Sequence, residues 1–119
     1  GADVFNFVIR EIPRDIKRLA EWSGEDLQGL DYYVFHQANN FINTYLAKKL
    51  RLDAERIPST IAKFGNTSSV SVPLTIASEL KGRMEGDRKL LLSAFGVGMT
   101  WGTAVVPFRD LRISDLVEV

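Results

Sequence analysis

The chain has 119 residues, 45% hydrophobic and 25% charged, which is enough for one domain with its own core. Lys plus Arg number 15 and Asp plus Glu 15, so no net field favours nucleic acid or a membrane surface. Cysteine is absent and histidine occurs once, which excludes disulfides and thiolate metal sites and leaves no zinc cluster to expect.

In chain order, Asp3 can cap a helix with Val4, Phe5, Val8, Ile9 and Ile12 on its apolar side, and Pro13 should break or kink it. Ile16, Leu19 and Ala20 continue the period as far as Gly24, a natural stop. Residues 30–35 read as a buried strand, and residues 39–50 as the helix after it, with Phe41, Ile42, Tyr45, Leu46 and Leu50 in helical register. Residues 57–61 suggest a weaker strand, with Pro58 hinting at an edge. A helix is expected over 68–80, with Pro73 near its start and Gly82 closing it, followed by strands over 89–95 and 102–108. The short connection between the last two strands makes them antiparallel, whereas strands joined through helices should lie parallel. This is layered α/β architecture with a mixed sheet.

No apolar run approaches the ~20 residues that a membrane-spanning helix needs. The first residues also lack the basic-then-apolar layout of a signal peptide, so a cytoplasmic setting is expected. The basic groups Arg14, Lys17 and Arg18, and Lys48, Lys49 and Arg51, read as solvated helix faces.

Two short motifs stand where apolar runs give way to polar residues: His36-Gln37-Ala38-Asn39 and Gly65-Asn66-Thr67-Ser68. His36 falls at the carboxyl end of a strand and ahead of a helix, the edge where open α/β sheets bind ligands. Each motif also has a plain structural reading. A lone histidine at a strand end is usually a packed residue with a satisfied ring. Gly-Asn is a common turn, Thr67 or Ser68 could cap the next helix, and Asn39 could cap its own. An imidazole and a carboxamide together supply N–H donors that can hold a thioester carbonyl and stabilise negative charge on it.

These two motifs, followed by Phe95-Gly96-Val97-Gly98-Met99-Thr100-Trp101-Gly102, resemble in order and spacing the C-terminal half of β-ketoacyl-acyl-carrier-protein synthase III, an initiating condensing enzyme. The resemblance runs from about Val4 to Phe108. It implies a three-layer thiolase-like half whose five strands lie in the order third, second, fourth, fifth, first. Here the first strand of the half is missing, along with the N-terminal half that bears the nucleophilic cysteine.

It further implies that His36 and Asn66 are catalytic, donating to the oxygen of a malonyl thioester as carbon dioxide leaves. Gln37 and Asn39 would support them. Val97 and Gly98 would bind substrate, the backbone N–H of the loop's middle position, Val97, serving the oxyanion hole of an acyl-cysteine. Valine is a departure, since a β-branched residue resists positive φ. Phe41 is another, standing where many members of the family have an arginine that docks the acidic carrier protein.

The implied parent is an acyltransferase of fatty-acid or related biosynthesis. It needs no cofactor and uses acyl-coenzyme A and malonyl-acyl carrier protein as substrates, while this chain, with apolar surface left open by the missing half, is expected to form a homo-oligomer. A histidine–asparagine pair favours decarboxylating chemistry over a non-decarboxylating thiolase, for which the resemblance would call for a second cysteine. Two other readings stand beside this one. The chain could be a natural cysteine-free subunit or binding module that completes a partner's active site. It could also be a hydrolase using Ser68 or Ser69 with His36, although no Gly-x-Ser-x-Gly elbow is present.

Overall fold

The computed structural model describes residues 2–96 and 98–119. Its elements are α1 (Ala2–Ser23), β1 (Tyr32–Phe35), α2 (Asn40–Leu50), α3 (Ile61–Phe64), α4 (Ser71–Glu79), β2 (Asp87–Gly96) and β3 (Thr100–Arg109). Short 3-10 turns at Leu27–Gly29, Ala54–Arg56 and Ser68–Val70 connect them. Among the described residues no helix is long and apolar enough to cross a membrane.

The three strands form one sheet in the order β1-β2-β3. β1 runs parallel to β2, with Tyr32 opposite Leu90 and Phe35 opposite Ser93. β3 returns antiparallel, with Asp87 opposite Arg109 and Gly96 opposite Thr100. Parallel strands need a long crossover, and residues 36–86 provide it.

Period-two alternation sorts the strand side chains between two cores. Tyr33, Phe35 and Leu91 pack with Val8, Ile12 and Ile16 of α1 and Ile42, Leu46 and Leu50 of α2. Val34 and Leu90 pack on the other face with Leu80 and Met84, beside Val72 and Ile76. Helices therefore cover both faces of a mixed sheet, the expected three-layer α/β half.

Several local expectations are overturned. Residues 57–61 are not a strand, because their backbone donors are engaged elsewhere. The N–H of Ile57 donates to Ala54 O, Pro58 has none, and that of Thr60 donates to the Gln37 side chain. Nor does Pro13 break α1. An interior proline costs about 3 kcal/mol, but Val8, Ile12, Pro13 and Ile16 are all buried, and that packing offsets it. Asp3 sits in the first turn of α1 rather than capping it. Neither Thr67 nor Ser68 caps α4, whose N-cap is Val70 with no side-chain bond.

Asn39 does cap its helix, its Oδ1 accepting from Ile42 N at 2.9 Å. Gly24 ends α1 with φ +74°.

Leu91 lies fully buried in the central strand, between β1 and β3. Leu91→Ala should destabilise the domain by roughly 2–5 kcal/mol, read as a lowered midpoint in urea unfolding followed by circular dichroism.

Candidate active site

The carboxyl ends of β1 and β2 and the start of β3 open onto a cleft of about 870 Å³, whose walls include His36, Asn66, Phe95, Gly96, Thr100 and Trp101. His36 follows β1 directly, and its N–H donates to Ser93 O at 2.9 Å, carrying the parallel ladder one residue further. The imidazole is half-buried. Its Nδ1 lies 2.8 Å from Ser71 Oγ, and its ring meets Phe95 edge to face, with centroids 4.8 Å apart and planes at 76°. Burial holds its pKa below the ordinary 6.5, because a charged ring there would lose water.

Asn66 reaches the same cleft from a connection 30 residues further along the chain. Gly65 before it has φ +66° and ψ −153°, a backbone region open essentially to glycine alone. That residue ends α3, so glycine here serves geometry directly. Asn66 Oδ1 accepts from Ser68 N at 2.9 Å, which fixes the carboxamide's oxygen and leaves its NH₂ donors available. The connection is tied at its base, where Lys63 Nζ donates to Glu79 Oε2 at 2.6 Å. That bond, with the Ser78 hydroxyl, holds the Glu79 carboxyl below its usual range.

The structure thus brings His36 and Asn66 to one cleft. Gln37 is fully buried, and its Nε2 donates to Phe35 O at 2.7 Å while its Oε1 accepts from Thr60 N at 3.0 Å. Asn39 is committed to its cap and is absent from the cleft wall. Gly98, with φ +88°, occupies the exposed turn between Gly96 and Thr100, both of which line the cleft. Val97 lies outside the described residues.

Ser68 and Ser69 line the cleft, but the hydroxyl that meets His36 is that of Ser71. Sequence reasoning missed Ser71 because it lies 35 residues away and carries no motif. Phe41, 63% exposed in the first turn of α2, packs its ring at 5.5 Å from that of Phe5. That contact joins α2 to α1. Lys48, Lys49 and Arg51 are exposed, as expected.

A mixed sheet between two helical layers, with polar donors at its carboxyl edge, is a thiolase-like half. Over residues 20–108 the chain matches the family described as 3-oxoacyl-[acyl-carrier-protein (ACP)] synthase III C terminal. It is 42% identical over 119 residues to β-ketoacyl-[acyl-carrier-protein] synthase III 2 of Streptomyces coelicolor, covering 94% of this chain and 36% of the relative. It is 38% identical over 109 residues to the synthase III of Streptococcus gordonii, covering 89% and 34% respectively. The crystal structure of 3-oxoacyl-(acyl-carrier protein) synthase from Burkholderia xenovorans superposes with a TM-score of 0.94 at 41% identity, over 100% of this chain and 34% of that one.

The chain belongs to the 3-oxoacyl-acyl-carrier-protein synthase III family, as its C-terminal domain. It spans about a third of the length of these relatives.

The site generates a pH prediction. A histidine whose folded pKa is depressed binds fewer protons when folded than when unfolded, so stability from this group is intact above 6.5. It is lost as pH falls from there through the folded pKa. With one histidine in the chain, its ring C–H resonance should titrate with a midpoint below 6.5; a midpoint at or above that value would contradict the burial argument.

Proposed function

We propose that this domain supplies the decarboxylation half of an acyltransferase that joins an acyl thioester to malonyl-acyl carrier protein by decarboxylative Claisen condensation. The observation that carries this reading is the placement of His36 and Asn66 on one cleft at the carboxyl edge of the sheet. Loss of carbon dioxide from a malonyl thioester moves the electron pair of the breaking C–C bond into an enolate, whose oxygen carries the charge. An imidazole N–H and a carboxamide N–H aimed at that oxygen lower the barrier. The resulting carbanion attacks an acyl group held on cysteine, expelling the thiolate.

Burial favours the neutral imidazole, which suits a donor that binds an oxyanion without delivering a proton to it. The cysteine belongs to a part of the enzyme not represented in this sequence, whose relatives are about three times as long. In this reading the substrates are acyl-coenzyme A and malonyl-acyl carrier protein, no cofactor takes part, the setting is cytoplasmic, and this chain by itself forms a homo-oligomer through the apolar surface that meets the other half. Phe41 offers no cation to an acidic carrier, so carrier docking falls to other basic groups, with Lys48, Lys49 and Arg51 exposed near the far end of α2.

A serine hydrolase reading is not favoured. The hydroxyl paired with His36 belongs to Ser71, neither Ser68 nor Ser69, and the sequence around it has no Gly-x-Ser-x-Gly elbow.

Two outcomes test the proposal. Incubated with radiolabelled acyl-coenzyme A, this chain should stay unlabelled, since it has no thiolate to hold an acyl group; stoichiometric thioester labelling would overturn the assignment. In the complete enzyme, His36→Ala or Asn66→Ala should lower malonyl decarboxylation by ~10²-fold or more, with acylation of the cysteine largely intact. The reverse pattern, lost acylation with normal decarboxylation, would remove both residues from the proposed role.

A further inference from the structure

Behind the cleft, a run of buried polar groups links the end of β1 to the start of α4. Gln37 Nε2 donates to Phe35 O, and Gln37 Oε1 accepts from Thr60 N. Thr60 Oγ1 lies 3.0 Å from Thr75 Oγ1, and Thr75 Oγ1 donates to Ser71 O at 2.7 Å. Ser71 Oγ in turn lies 2.8 Å from His36 Nδ1. Gln37, Thr60, Ser71 and Thr75 are all buried.

Counting protons fixes the direction of these bonds. Each hydroxyl carries one proton. That of Thr75 is committed to Ser71 O, so in the Thr60–Thr75 pair Thr60 is the donor. Among the described residues, the only acceptor within reach of the Ser71 hydroxyl is His36 Nδ1. If Nδ1 carried a proton and donated to Ser71 instead, the serine's own proton would be stranded at a site with 1% exposure, a costly arrangement. With Ser71 as donor, every hydroxyl proton of this run has an acceptor.

We infer that Ser71 is the positioning residue of the site: its hydroxyl donates to His36 Nδ1 and fixes the imidazole as the Nε2–H tautomer, with that N–H turned to the cleft. The Gln37–Thr60–Thr75 bonds hold the first turn of α4 against the end of β1, so the serine meets the ring at a set distance. The inference rests on the proposed role of His36 as an oxygen-binding donor, because only an Nε2–H ring can donate into the cleft while Nδ1 accepts. It adds the group that decides which nitrogen carries the proton.

The test is direct because the chain has one histidine. In the chain labelled with ¹⁵N-histidine, above the pH at which the ring titrates, long-range ¹H–¹⁵N correlation distinguishes the two neutral tautomers. The Nε2–H form should dominate. Ser71→Ala should shift the tautomer ratio toward Nδ1–H by roughly five- to tenfold, the change an ordinary hydrogen bond supports, and Ser71→Thr, which keeps the hydroxyl, should restore it. A native ring in the Nδ1–H form overturns the inference, as does a ratio unmoved by Ser71→Ala. If the alanine variant fails to fold, the native tautomer decides alone.

In the complete enzyme, Ser71→Ala should lower decarboxylation about tenfold, mainly in kcat, with recovery in Ser71→Thr. A tautomer set by Ser71 in an enzyme whose decarboxylation survives His36→Ala would sink the functional reading while upholding the positioning role.

Discussion

The site depends on the parallel pairing of β1 with β2. The ladder runs from Tyr32 opposite Leu90 to Phe35 opposite Ser93, and the N–H of His36 extends it to Ser93 O. Side chains in a strand alternate between faces, so this register decides which residue meets α4. Val34 packs into the core on the α4 side, and two residues on His36 meets Ser71 at the first turn of that helix. A slip of one residue would present Phe35 or Gln37 instead. The same pairing forces a long crossover, and the crossover carries Asn66. One ladder therefore places one donor directly and makes room for the other.

The second donor is held by the closure of its own connection. Asn66 lies between α3 and α4, and two contacts join the segments on either side of it: Thr60 with Thr75 inside the protein, and Lys63 with Glu79 at the surface. The buried contact carries more of the constraint, since an exposed ion pair is worth only about 0–1 kcal/mol. Between these ties, Gly65 ends α3 and Asn66 Oδ1 accepts from Ser68 N, so the carboxamide is oriented before any ligand arrives. Preorganisation of that kind lets hydrogen-bond donors lower a barrier without reorganising during the reaction.

What was legible in the sequence was what obeys a local period. The apolar runs around Val34, Leu91 and Val105 are strands, and the helical register of Ile42, Leu46 and Leu50 marks α2, with Asn39 as its cap. The motifs located His36 and Asn66 because they fall where those periods stop. The failures share a different cause. Residues 57–61 have strand-like composition, but a buried side chain, that of Gln37, takes the Thr60 donor. Pro13 opposes helix locally, yet burial against the sheet and α2 overrides it. Ser71 carries no signal, since a serine near a helix start suits capping as well as contact with a histidine in another element. In each case the deciding partner lies in a distant part of the chain.

Part of the fold's local cost lies beside the cleft. Of the four non-glycine residues with positive φ among the described residues, Ser68 lies on its wall and Met99 in the turn leading to it. Thr67 Oγ1, next to Ser68, is buried with no hydrogen-bond partner among the described residues, which costs about 1–3 kcal/mol. Left-handed backbone at a serine or methionine adds to that. Such features persist where surrounding structure over-determines them, and here the surrounding structure is the buried Gln37–Thr60–Thr75–Ser71 run together with the β1–β2 ladder. Backbone that departs from its preferred conformations around a rigid polar framework is better suited to aiming donors into a cleft than to maximising stability.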